Sequence, residues 1–210
     1  MRTLIAIPAM DTVHTLFFQS VWGLRKPPGT DLAITCSSLV YDARNQLAAQ
    51  AVAGGYDNVL WLDSDMMFGP DLLERMSALV EAGHPFSCGL FFTRKAPVAP
   101  CVYACLEMHE GTPICIPAQH WDAPFEAQAC GFGAVITSVE LLRKVQNRFP
   151  QPFTPIPGFS EDFSFCLRAR EFGVFPWCDP SIRVDHIGIS IFNEQTYLAV
   201  KEREAHGTGG

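Results

Sequence analysis

The sequence contains no block of Lys and Arg, no G-x-G-x-x-G, no C-x-x-C pair and no apolar run near the ~20 residues that a helix needs to cross a bilayer. Each absence removes a class of function. Without a row of cations to follow a phosphate backbone, and with a net charge of −7 from 22 acidic and 15 basic residues, nucleic acid is not an expected partner. No transmembrane segment is expected. The loop after the first apolar run is Pro8-Ala9-Met10-Asp11, not the glycine-rich turn of a dinucleotide oxidoreductase or the phosphate-cradling loop of a sugar-nucleotide pyrophosphorylase. The eight cysteines (Cys36, Cys88, Cys101, Cys105, Cys115, Cys130, Cys166 and Cys178) lack zinc or redox spacing. Most lie in or beside apolar runs, and a chain of 210 residues can bury a core without disulfides, so reduced thiols are expected. Met1 leads into an apolar run that Pro8 ends before it reaches the length of a secretory signal, which points to a cytoplasmic protein.

What is present indicates one α/β domain. Hydrophobic residues make up 48% and charged residues 18%, a balance that excludes a disordered chain. Thr3 to Ile7 and Val59 to Leu62 are apolar without alternation, as strands buried on both faces of a largely parallel sheet would be. Helical spacing follows over Thr12 to Gly23, from an Asp42 N-cap to Gly54-Gly55, and from a first-turn Pro70 to Gly83. Leu32 to Thr35, Phe86 to Phe92, Ala129 to Thr137 and Val174 to Cys178 read as further strands, and Val139 to Val145 as a short helix. Residues 94–126 are proline-rich and irregular, with β-compatible pieces at Cys101 to Leu106 and Thr112 to Ile116. The expected domain spans 1–198, nucleotide-binding over about 1–92 and acceptor-binding over about 93–198, with 199–210 a disordered tail.

The apolar run at Val59 to Leu62 ends in Asp63-Ser64-Asp65. In open α/β sheets ligands bind at the carboxyl ends of strands, and two hard oxygen donors there suit magnesium or manganese bridging to phosphates. Aspartates also form turns, so the triplet alone leaves both readings open. Asp11 falls on the same edge. Glu161 and Asp162 follow Ser160 at the start of a helix, where the helix dipole favours acids for structural reasons and where a general base is equally possible. Gly131 and Gly133 allow a ligand close to the backbone or mark a bulge. Trp121, in a polar loop, is a candidate for stacking on a sugar face.

Asp42-Ala43-Arg44-Asn45 opening a helix, the D-S-D after a buried strand, Ser160-Glu161-Asp162 and then His186 resemble, in that order, a glycosyltransferase of the GT-A fold, nearest the family 2 type, over about residues 3–190. The resemblance implies a three-layer, Rossmann-like fold with a mostly parallel central sheet. It also implies a nucleotide-diphosphate-sugar donor, UDP-sugar favoured, Mn2+ or Mg2+ on the diphosphate, and transfer of one sugar to an acceptor hydroxyl. Pro8, Asp11, Arg44, Asp63 and Ser64 would then bind the nucleotide, and Asp63, Asp65 and His186 the metal. Asp162 would be the base of an inverting transfer, with Glu161 in reserve, and Gly131 and Trp121 would border the sugar or acceptor. Q-x-x-R-W is missing after the acidic pair, where Leu167-Arg168-Ala169-Arg170 stands, so a processive synthase is disfavoured. The alternative is a non-catalytic nucleotide- or glycan-binding member of the same fold.

Overall fold

The computed structural model describes residues 1–94, 97–188 and 191–207. Strand β1 (Thr3–Ala9) is buried at every position. It pairs in parallel with β2 (Thr30–Cys36) on one side and β3 (Asn58–Leu62) on the other. Between them run α1 (Thr15–Gly23) and α2 (Val40–Ala53). Strand alternation divides the apolar runs between two cores. Leu4, Ala6, Val59 and Trp61 face the side covered by α2, while Ile5, Ile7, Leu60 and Leu62 face the side covered by α1. The Trp61 indole, fully buried, donates its one polar hydrogen to Thr137 Oγ1 at 2.9 Å.

After β3 come β4 (Met66–Met67), α3 (Leu72–Glu81) on the α1 side, and β5 (Phe86–Leu90). The segment expected to be irregular then holds a hairpin of β6 (Val102–His109) and β7 (Thr112–Pro117), closed by Glu110 and Gly111, both at positive φ. Short strands β8 (Phe125–Glu126) and β9 (Ala129–Cys130) follow, then β10 (Ala134–Ser138), so the expected strand from 129 to 137 is broken at Gly131 to Gly133. Helices α4 (Val139–Arg148) and α5 (Glu161–Arg170) cover the α2 side. β11 (Trp177–Arg183), β12 (Asp185–Ile187), β13 (Ile191–Phe192) and α6 (Glu194–Gly207) complete the chain.

The seven-stranded sheet has the order β2-β1-β3-β10-β5-β11-β8. It is mixed, not mostly parallel, because β10 runs antiparallel to both β3 and β5, and β8 antiparallel to β11. The connection explains the direction. Among the described residues no crossover helix separates β5 from β10, so the chain re-enters the sheet from the edge it left and must run the other way.

Several boundaries also differ. Helix α1 starts at Thr15, capped by His14, whose Nδ1 accepts from the Leu16 N–H at 3.2 Å. Helix α2 is entered through Leu39, and Asp42 lies inside its first turn, accepting from Gln46 Nε2 at 2.9 Å, rather than capping it. Pro70 precedes the N-cap Asp71 of α3 and is outside the helix. The last sheet strand begins at Trp177, not Val174. Helix α6 runs through 199–207, where a disordered tail was expected; 208–210 lie outside the described residues. Among the described residues no helix is long and apolar enough to cross a membrane.

Candidate active site

The carboxyl ends of β1 and β3 open onto a cleft of about 340 Å³ lined by Pro8, Ala9, Met10, Ser37, Val40, Arg44, Asp63, Ser64, Asp65, Arg94, Glu161 and His186. Asp63 is fixed where β3 ends. Its N–H donates to the Gly133 carbonyl at 3.1 Å and its own carbonyl accepts from Met66 N–H at 3.3 Å. Beneath it lies Arg44, from the inner face of α2, with a side chain only 2% exposed. Arg44 Nη2 is 2.7 Å from Asp63 Oδ1, Nε is 3.5 Å from Glu161 Oε1, and the guanidinium carbon sits 5.2 Å from the centre of the Phe132 ring. Burial pushes the Asp63 carboxyl upward, Arg44 opposes the shift, and Asp65 and Glu161 add to it. Arg44 thus forms the charged floor of the cleft.

Asp65 is built by a different pairing. Strand β12 lies antiparallel to β4 with His186 opposite Met66, and Ile187 N–H donates to the Asp65 carbonyl at 2.7 Å. His186 Nε2 is therefore 3.4 Å from Asp65 Oδ2, while Nδ1 is 2.9 Å from the Phe92 carbonyl. A carbonyl oxygen only accepts, so Nδ1 carries the hydrogen and a neutral ring turns its Nε2 lone pair toward the carboxylate. Two acceptors facing each other require a proton or another cation between them. Burial works against the charge of His186, but Asp65 outweighs it and raises the imidazole; burial likewise opposes the charge of Asp65, but His186 and Arg94 hold the carboxyl below its usual range. Arg94 Nη1 also pairs with Asp65 Oδ2.

Glu161 and Asp162 start α5, yet only Glu161 reaches the cleft wall. Asp162 lies behind it. Its Oδ1 accepts from Phe163 N–H at 2.7 Å and from the Ser160 hydroxyl, and its Oδ2 faces Gly131, where an added Cβ would stand 3.6 Å away. Burial, then the charge of Glu161, pushes Asp162 up to about 6.

The structure thus gathers Pro8, Arg44, Asp63, Ser64, Asp65, Glu161 and His186 around one cleft, with Asp162 and Gly131 adjoining it. Asp11 is exposed and does not line the cleft. Trp121 does not line it either; its ring packs on Phe92 and Tyr197 at 5.9 and 5.4 Å, and its Nε1 donates to Glu194 at 3.3 Å. Asp63 turns to Arg44, so the expected three-ligand set is not drawn together, and among the described residues no group of three His, Cys, Asp or Glu side chains is disposed around a common metal position. Sequence reasoning missed Arg94. Its only signal was a cation just after the strand Phe86 to Phe92, at the rim where Asp63 and Asp65 also lie.

Solved structures share this architecture. A197 from STIV superposes with a TM-score of 0.63 at 18% identity, over 92% of this chain and 94% of that one. GalNAc-T7, in a structure with UDP, GalNAc and Mn2+, superposes with a TM-score of 0.63 at 12% identity over 96% of this chain. The fold is of the GT-A type. The chain spans about half of GalNAc-T7, 48% of its length. No family model matches the sequence, and no curated protein matches it. At these identities the GT-A likeness concerns the fold; the family 2 affinity is not distinguished by it.

Proposed function

We propose that this GT-A chain is a metal-dependent glycosyltransferase that moves one sugar from a nucleotide-diphosphate sugar, UDP-linked by preference, to an acceptor hydroxyl with inversion. The observation that carries the reading is the Asp65–His186 pair, 3.4 Å apart at the end of a buried strand, with the imidazole oriented by the Phe92 carbonyl. A carboxylate beside an Nε2 lone pair, with the other ring nitrogen committed to a carbonyl, is a donor set that suits manganese or magnesium. Such a metal supplies Lewis-acid stabilisation of the departing nucleoside diphosphate.

The chain's own residues do the rest. Pro8 and Ser64 border the nucleotide. Arg44 holds Asp63 and Glu161 at fixed positions, so the cleft keeps its carboxylates without their mutual repulsion spreading them. Asp162 takes the proton from the acceptor hydroxyl at Oδ2, the oxygen that Gly131 leaves uncrowded. A carboxyl near 6 is a stronger base than an ordinary one and is still ionised at neutral pH.

A non-catalytic binding role is the second reading, favoured by the cations already present on both cleft aspartates, Arg44 on Asp63 and Arg94 on Asp65. Calorimetric titration with UDP, GDP and other nucleoside diphosphates, with and without Mn2+, tests the first reading on wild type and Asp65→Ala. Mn2+-dependent binding that Asp65→Ala abolishes supports it. No binding of any nucleotide refutes it, and metal-dependent binding without turnover toward acceptors or water supports the second.

A further inference from the structure

Arg94 lies four residues past the end of β5, and its side chain, 48% exposed, reaches over the cleft to Asp65. Beyond it is a second hollow formed by Thr12, Val13, His14 and Thr15, and Met10, Ser64, Asp65 and Arg94 line both spaces. The Asp65–Arg94 pair forms part of the boundary between them. The guanidinium and His186 Nε2 converge on one oxygen, Asp65 Oδ2. A divalent cation held by Asp65 and His186 would draw on the same carboxylate and repel the guanidinium, so the two would compete for it.

The two cleft arginines differ in their freedom to respond. Arg44 is enclosed, paired with Asp63 and Glu161 and packed on Phe132. Arg94 is on a long stem at the open side, and it pairs with the very carboxylate that a metal would take.

Resting on the donor-site reading above, we propose that Arg94 is a built-in competitor of the metal: it neutralises Asp65 in the metal-free protein and moves to the donor's diphosphate when metal takes Asp65. Metal and diphosphate then bind tightly only together. Metal alone must displace the guanidinium and leave it facing the metal's charge. Diphosphate alone finds Asp65 and Glu161 at the rim and its cation already engaged. Each ligand removes the other's obstacle, and the coupling is reciprocal.

The test needs no turnover. Mn2+ binding is followed by loss of the free-ion paramagnetic resonance signal, with and without UDP, for wild type, Arg94→Gln, Arg94→Lys and Asp65→Ala, with circular dichroism checking each fold. Without UDP, Arg94→Gln is expected to bind Mn2+ about two- to fivefold more tightly than wild type, the scale of one partly exposed ion pair. UDP should then enhance Mn2+ binding less in Arg94→Gln than in wild type, and Arg94→Lys should follow wild type. Equal or weaker binding of Mn2+ alone by Arg94→Gln, in a protein whose wild type binds Mn2+ and UDP normally, overturns the proposal and leaves the donor site standing. Failure of wild type to bind Mn2+ with or without UDP overturns both.

Discussion

Arg44 and Asp63 meet beneath the cleft at 2.7 Å, Nη2 to Oδ1, joining the inner face of α2 to the end of β3 through a side chain that is 2% exposed. Removing one partner of a buried pair leaves an uncompensated charge, which costs about 3–5 kcal/mol. Asp63 keeps some contact with solvent, so Arg44→Met is expected near the lower end, about 3 kcal/mol, read as a fall in the urea midpoint. Arg44→Met/Asp63→Asn should recover part of that loss.

The pH dependence of Asp162 gives opposite signs for activity and stability. As the base it must be ionised, so kcat/KM is expected to fall about tenfold per unit below pH 6, and Asp162→Asn to lose about 10²- to 10⁴-fold. The folded protein holds this proton up to about 6, above the ordinary value of 3.8, so between those values it binds more protons than the unfolded chain. Stability from this group therefore declines as pH rises through that window. At pH 8 the Asp162→Asn protein should be no less stable than wild type while being inactive; a large loss of stability there would mark the residue as structural.

Gly133 has no room for a side chain. A Cβ would lie 2.9 Å from the Phe91 ring and 2.9 Å from Met66 Cε, and the Gly133 carbonyl is the acceptor for Asp63 N–H. Gly133→Ala is expected to cost about 1–3 kcal/mol by overpacking and to weaken Mn2+-dependent nucleotide binding together with the melting temperature.

Trp121 should separate from the site. Its ring contacts Phe92 and Tyr197, so Trp121→Ala is expected to lower stability by about 3 kcal/mol while calorimetry finds the nucleotide affinity unchanged. Weaker nucleotide binding at unaltered stability would return this residue to the ligand site.

The parts of the fold legible in the sequence were those fixed by local pattern. Val59 to Leu62 reads as a strand buried on both faces because it is one, and its sudden end in Asp63 marks the rim of the sheet. Ser160-Glu161-Asp162 begins a helix as its residue types suggest. Properties that depend on where the chain has come from were not legible. Ala134 to Ser138 has the same apolar character in either direction, and only the route from β5 makes it antiparallel. The approach of His186 to Asp65 was expected only through the family resemblance, because the pairing that produces it joins two short strands of two and three residues, too brief to carry a local pattern. Arg44 has the composition of a ligand-binding residue, and its burial under Asp63 follows from the register of α2 on the sheet.

The reversed strand β10 also bears on how the chain acquires its shape during synthesis. It fills the gap between β3 and β5, pairing Leu62 with Ala134 and Cys88 with Val135, so the centre of the sheet is the last of these three strands to leave the ribosome. Until it arrives, β3 and β5 each present an unpaired apolar edge, the kind of surface that recruits strands from other chains. The bond from Asp63 N–H to Gly133 closes in the same event, while the other edge of β5 stays open until β11 arrives. A destabilised β10 should accordingly appear first as a loss of soluble yield, before any change in the binding behaviour of the molecules that do fold.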